Sequence, residues 1–157
     1  MDGQTRRASA LVGAALALAL VATACGGDDE ESGGGGDGTS VVVTLQEFAI
    51  GAVPASAAAG TTTFETTNDG PEDVHELVVV KTDLPPEALP TVADGSVDEE
   101  GEGIEPVDEI EDIAVGDTQS LTVDLEAGSY VLICNIYDAE EQEAHYQEGM
   151  RLAFTVE

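Results

Sequence analysis

Tryptophan is absent from this 157-residue chain, and Phe and Tyr number three each. A core must therefore be assembled from Val, Leu, Ile and Ala, a composition that favours strands rich in β-branched residues. Basic residues are scarce too: 4 Lys and Arg stand against 33 Asp and Glu, a net charge of −29. So few cations cannot form a basic face, which excludes nucleic acid as a partner. Two histidines are too few for a catalytic metal held by three imidazoles with an open water position. No G-x-S-x-G nucleophile elbow is present, so the chain is not expected to be an enzyme. The length allows one domain with appendages.

The N-terminus carries an address. Residues 1–25 read MDGQTRRASALVGAALALALVATAC. Arg6 and Arg7 precede an apolar stretch from Ala10 to Ala24, and small residues lead into Cys25, the order of an export signal. The apolar stretch is short for a membrane span. Its ending, A-T-A-C, resembles a bacterial lipoprotein signal, which implies cleavage after residue 24 and lipidation of Cys25. An ordinary secretory signal with an incidental cysteine is the alternative, and the Arg pair is compatible with general or twin-arginine export. Residues 25–40 then form the lipidated Cys and a tether, GGDDEESGGGGDGTS, without apolar periodicity. Such a Gly-rich segment spans on the order of 20 Å root mean square, enough to hold a domain off the extracytoplasmic face of the cell membrane. Loss of the leader removes Asp2, Arg6 and Arg7 and leaves 2 basic against 32 acidic residues, or −30. The acids are spread along the chain, which reads as a self-repelling surface suited to high salt or as a docking face for a basic partner.

From residue 41 to 157 short β-rich runs alternate with Gly, Pro and Asp/Asn clusters. The clearest are VVVTLQE (41–47), TTTFETT (61–67), HELVVVKT (75–82), QSLTVDLE (119–126), YVLICNI (130–136) and RLAFTVE (151–157). Several alternate apolar with polar, the mark of a strand with one face on a core. The acidic, proline-bearing stretch 83–116 is too long for a routine connection, and a surface excursion is expected there, with a helical turn at 86–89 and a short strand at 109–114. The predicted architecture is all-β, a Greek-key sandwich of about six to eight strands.

Within the domain the scarce residue types form a pattern. Beyond Cys25 there is one cysteine, Cys134, one methionine, Met150, and two histidines, His75 and His145. The last three of the series run C-x10-H-x4-M. Two imidazoles and a thiolate with a weak axial thioether make the trigonal site of blue copper proteins, where the soft thiolate suits Cu(I) and the imidazoles suit both oxidation states. An exported protein seldom keeps an unpaired cysteine, because its compartment is oxidising, and metal ligation accounts for Cys134.

These residues carry a resemblance to the cupredoxin family. N-D-G-P-E-D-V-H-E-L-V-V-V is similar to its N-terminal ligand segment, and Y-V-L-I-C-N-I followed by H-Y-x-x-G-M to its C-terminal ligand loop. F-A-I at 48–50 and A-G-T-T-T-F at 59–64 are similar to its opening strands. The resemblance implies one mononuclear type 1 copper on His75, Cys134, His145 and Met150, and a monomeric electron carrier serving redox protein partners. It also implies an electron port at the edge of His145, next to Tyr146. Two departures stand out: ten residues separate Cys134 from His145, among them Asp138, Glu140, Glu141 and Glu143, and Glu76 follows His75 where small carriers often have Asn. Carboxylates near the metal favour Cu(II) unless the loop projects into solvent. Glu76 after His75 leaves the hydrogen bonding around the thiolate unassigned, with Asn135 and Asn68 as candidates. The counts leave out a trinuclear copper cluster, which needs more imidazoles, and a thiolate-bridged pair, which needs a second cysteine in the fold. A copper acceptor or storage protein with the ion as cargo, and a structural sandwich with a decayed site, are the alternatives; a carrier cycles without releasing its copper.

Overall fold

The computed structural model describes residues 38–157. The expected leader (1–24), the lipidation site Cys25 and the tether up to residue 37 lie outside the described residues. Among the described residues the first strand begins at Thr39.

The described residues form, in chain order, β1 (Thr39–Gln46), β2 (Ala49–Val53), β3 (Ser56–Ala57), β4 (Gly60–Asn68), β5 (His75–Thr82), a 3-10 turn (Pro86–Ala88), β6 (Ile104–Ile113), β7 (Thr118–Leu125), β8 (Gly128–Ile133), β9 (Tyr137–Asp138), β10 (Glu143–Ala144), α1 (His145–Glu148) and β11 (Arg151–Val156). Eight strands have five residues or more, in line with the expected sandwich. One sheet has the order β2-β1-β4-β7 and the other β3-β11-β8-β5-β6; β9 and β10 make a separate small hairpin. β1 pairs parallel with β4, whereas β5 pairs antiparallel with both β6 and β8.

Alternation decides which side chains enter the sandwich. Val41, Val43 and Leu45 of β1 are fully buried, and Phe64 of β4 meets Phe154 of β11 edge to face with ring centroids 5.5 Å apart. On the outer side of β4, Thr63 and Thr67 hydrogen-bond Thr122 and Thr118 of β7. β5 differs because it is buried on both faces: Leu77 and Val79 face the main core, while Val78 and Val80 belong to a second cluster with Val131, Ile133, Leu89, Val97 and Tyr146. A strand covered twice reads as a continuous apolar run, and LVVV is that run.

The cover comes from the acidic excursion, which contains the expected turn, now at Pro86–Ala88, and folds Leu89 and Val97 onto the sheet. β6, expected as a short strand, has ten residues. Its sequence hides the greater length because this is an edge strand with most side chains in water and Pro106 in its run, features an edge tolerates and a central strand does not. Because β5 and β8 are antiparallel neighbours, the start of one and the end of the other meet at the same end of the sandwich.

Candidate metal centre

His75 is the first residue of β5 and is fully buried. The turn before it is set by Asn68, whose side-chain amide donates to the carbonyls of Asp73 (2.8 Å) and Ile113 (2.9 Å) while its oxygen accepts Gly70 N–H (2.9 Å). Cys134 comes directly after β8 and is fully buried too. Its Sγ accepts the backbone N–H of Glu76 at 3.5 Å, a bond supplied by the main chain, while the side chains of the two candidates Asn68 and Asn135 bond elsewhere. Glu76 instead caps the backbone of the next strand end, its Oε1 accepting Asn135 N–H at 2.8 Å. Burial, followed by the charges of Glu109, Glu99 and Glu111, pushes the Glu76 carboxyl up to about 7 against the opposing Asn135 N–H.

The ten-residue connection from Cys134 to His145 is compact at its base. His145 N–H donates to Ile136 O (2.9 Å), Met150 N–H to His145 O (3.0 Å) and Cys134 N–H to Met150 O (3.1 Å), a backbone chain that ties the three residues together. β9 and β10 carry the rest of the connection away as a hairpin with Ala139–Gln142 exposed at its tip. Asp138 closes the tip by accepting the N–H groups of Glu140 and Glu141, so two of the acids that could have crowded the centre stand in water. After α1 the chain reverses at Gly149, where φ is +132° and a Cβ would lie 2.9 Å from the carbonyl oxygen of Phe48. Glycine suits both demands.

The result is a convergence of donors. The Nδ1 atoms of His75 and His145 are 3.2 Å apart, and Cys134 Sγ lies 3.4 Å from His145 Nδ1 and 3.9 Å from His75 Nδ1. The donor atoms of these three residues all fall within 4.8 Å of one another, and no other such cluster occurs among the described residues. Met150, fully buried in the same apolar cluster as Cys134, lies beside them through its backbone bond. Burial holds both imidazoles below the usual histidine range, with the neighbouring His145 adding to the effect on His75, so both rings are neutral with a lone pair to offer. Burial likewise pushes the Cys134 thiol up to about 12 against the Glu76 and Ile136 N–H groups, so a cation that takes the thiolate displaces a proton. One soft sulfur, two neutral imidazoles and a buried thioether residue fit copper by ligand type.

Sequence reasoning missed Glu47 altogether, and missed the parts that Asn135 and Tyr146 play. Glu47 accepts Asp73 N–H at 2.8 Å and Glu72 N–H at 3.3 Å, and lies 3.6 Å from His75 Nε2. The signal was present: Glu47 continues the inward alternation of Val41, Val43 and Leu45. Asn135, one residue past Cys134, bonds the backbone of Val97 in both directions, at 2.5 and 3.2 Å, and the Glu99 carboxylate at 2.9 Å. Tyr146, one residue past His145, donates to Pro86 O at 2.7 Å and accepts Leu89 N–H at 3.1 Å. The excursion is thus pinned next to two of the convergent residues. Tyr146 is only 1% exposed and is turned towards the excursion. His145, 3% exposed, instead borders a surface depression of about 450 Å³ lined by Val74, Ile136, Tyr137 and Ala139 with Asp73 and Asp138.

No protein-family model matches the chain, and a comparison with curated proteins finds no match. Solved structures do match. Auracyanin from Roseiflexus castenholzii superposes with a TM-score of 0.53 at 20% identity, covering 79% of this chain and 99% of that one. Auracyanin A from Chloroflexus aurantiacus, described as a "blue" copper protein, gives 0.53 at 19% identity over 76% and 99%. Rusticyanin from Thiobacillus ferrooxidans gives 0.55 at 15% identity over 78% and 79%. The chain has the cupredoxin fold, an all-β sandwich whose end gathers His75, Cys134 and His145.

Proposed function

We propose that this chain is a blue copper protein that carries electrons between extracytoplasmic redox partners, with one mononuclear copper on His75, Cys134, His145 and Met150. The observation that carries the reading is the convergence of a thiol and two imidazole Nδ1 atoms within 4.8 Å in a buried pocket. Copper supplies reversible one-electron chemistry when bound; the protein's part is to hold the donors and exclude water. The main-chain bonds among Cys134, His145 and Met150 and the side chain of Asn68 hold them in place before any ion arrives. A site this enclosed favours retention of the ion over release, which supports a carrier over a protein that hands on its copper. In this reading lipid on Cys25 anchors the carrier to the membrane, the depression beside His145 is the docking point, and a partner with a basic rim meets Asp73 and Asp138 there.

Residues 26–157, made without lipid and loaded with Cu(II), test the reading. An intense thiolate-to-copper charge-transfer band is expected, lost in Cys134→Ser, with repeated redox cycling that releases no copper. A colourless protein, or colour that survives Cys134→Ser, defeats it. Loading should also raise thermal stability, by about 4 kcal/mol at a free-ion concentration about 1,000 times the dissociation constant.

A further inference from the structure

Glu47 has no part in the ligand set, yet it is built into the site. It follows β1, is largely buried, and its Oε1 is held by the N–H groups of Asp73 and Glu72 at 2.8 and 3.3 Å. Two N–H groups on one oxygen suit a carboxylate, which only accepts. Its Oε1 lies 3.6 Å from His75 Nε2, close for electrostatic contact though longer than a hydrogen bond. Glu47 Oε2 and His75 Nε2 are both buried and both lack a hydrogen-bond partner. The carboxylate that holds one of these orphans is thus the group whose other oxygen stands nearest the second, His75 Nε2, and the two are of complementary chemistry.

The other nitrogen of His75 faces the centre, with Nδ1 3.2 Å from His145 Nδ1 and 3.9 Å from Cys134 Sγ. A neutral imidazole carries its proton on one nitrogen only. A carboxylate behind Nε2 favours the proton there, whereas the opposite tautomer would aim a lone pair at a negative charge and block Nδ1. Space is reserved for this contact: a Cβ on Gly70 would lie 2.5 Å from Glu47 Oε1 and 2.7 Å from Oε2.

We propose that Glu47 is a positioning residue for His75, selecting the tautomer with the proton on Nε2 so that Nδ1 is bare for the metal, and placing one fixed negative charge behind that ring. The tautomer half concerns the metal-free chain; the charge half rests on the copper reading. Nitrogen-15 NMR of the full chain freed of metal reads the tautomer directly. The Nε2–H form of His75 is expected in the wild type and in Glu47→Gln, whose carbonyl oxygen still accepts. In Glu47→Leu and Gly70→Ala, which remove or displace the carboxylate, a several-fold gain of the Nδ1–H form is expected. In the copper-loaded chain Glu47→Gln should shift the equilibrium towards Cu(I) several-fold, a change in reduction potential that a purely structural role would not produce. A wild-type His75 in the Nδ1–H form, or a tautomer indifferent to both Glu47→Leu and Gly70→Ala, overturns the assignment. An unmoved potential in Glu47→Gln overturns its charge half. If Glu47→Leu does not fold, Gly70→Ala and Glu47→Gln still decide. If the wild type shows no charge-transfer band, the carrier reading falls while the NMR arm still judges Glu47.

Discussion

Asn68 is completely buried and spends its whole side chain on the main chain: two N–H donations, to Asp73 and Ile113, and one acceptance, from Gly70. It ends β4 and clamps the turn that delivers His75, so removing it leaves three buried backbone groups unpaired beside the site. Each such loss costs about 1–3 kcal/mol, and Asn68→Ala should destabilise the domain by about 3 kcal/mol in chemical denaturation, allowing for partial relaxation. Asn68→Asp should do no better, because it sets a carboxylate against two carbonyl oxygens. The Asp/Asn, Gly and Pro cluster was legible as a break between strands, and Asn68 as a candidate at the site, but that its side chain serves the main chain and reaches distant Ile113 was not.

At the scale of elements, two segments that look alike in composition behave differently. The β9–β10 hairpin takes its acidic tip into water, where charges beyond a Debye length of about 8 Å at physiological ionic strength are largely screened. Replacing Glu140 and Glu141 together by Gln should therefore move the copper reduction potential much less than Glu47→Gln, as cyclic voltammetry would show. The 83–103 excursion instead returns to the protein and closes a second core over β5 and β8. Tyr146 is its latch, since its hydroxyl serves both Pro86 and Leu89. Tyr146→Phe strands those two backbone groups and should cost about 1–2 kcal/mol, with faster amide hydrogen exchange at Leu89. Strands with one wet face were readable from alternation, as were β5 and β8 from their apolar runs. The full length of β6 and the packing of the excursion onto the sheet were not, because an edge strand needs no apolar pattern and a covering loop needs only a few apolar contacts, here Leu89 and Val97.

For the whole molecule the governing quantity is charge. Lys81 and Arg151 are the only Lys or Arg residues between 38 and 157, and Lys81 is engaged with Glu126 at 2.7 Å. Spread over one small domain, the uncompensated carboxylates repel one another and oppose the compact state. Raising ionic strength from about 0.01 M to about 0.15 M shortens the screening length from about 30 Å to about 8 Å, so the melting temperature should rise with salt in scanning calorimetry. Electron exchange with a basic partner should slow over the same range, because screening removes the steering that speeds encounter. A melting temperature indifferent to salt would show that the acidity is too diffuse to oppose folding.

The sequence by itself determined the fold class and the residues that meet at the site. A two-residue period makes a half-buried strand visible, and a residue type that occurs once in a domain draws notice wherever it sits. Tertiary structure alone decided where the long Cys134–His145 connection goes, which backbone N–H reaches the thiol, that Tyr146 faces inward, and that Glu47 stands behind His75. Those outcomes depend on segments far apart in the chain meeting in three dimensions, and no local period or propensity encodes such a meeting.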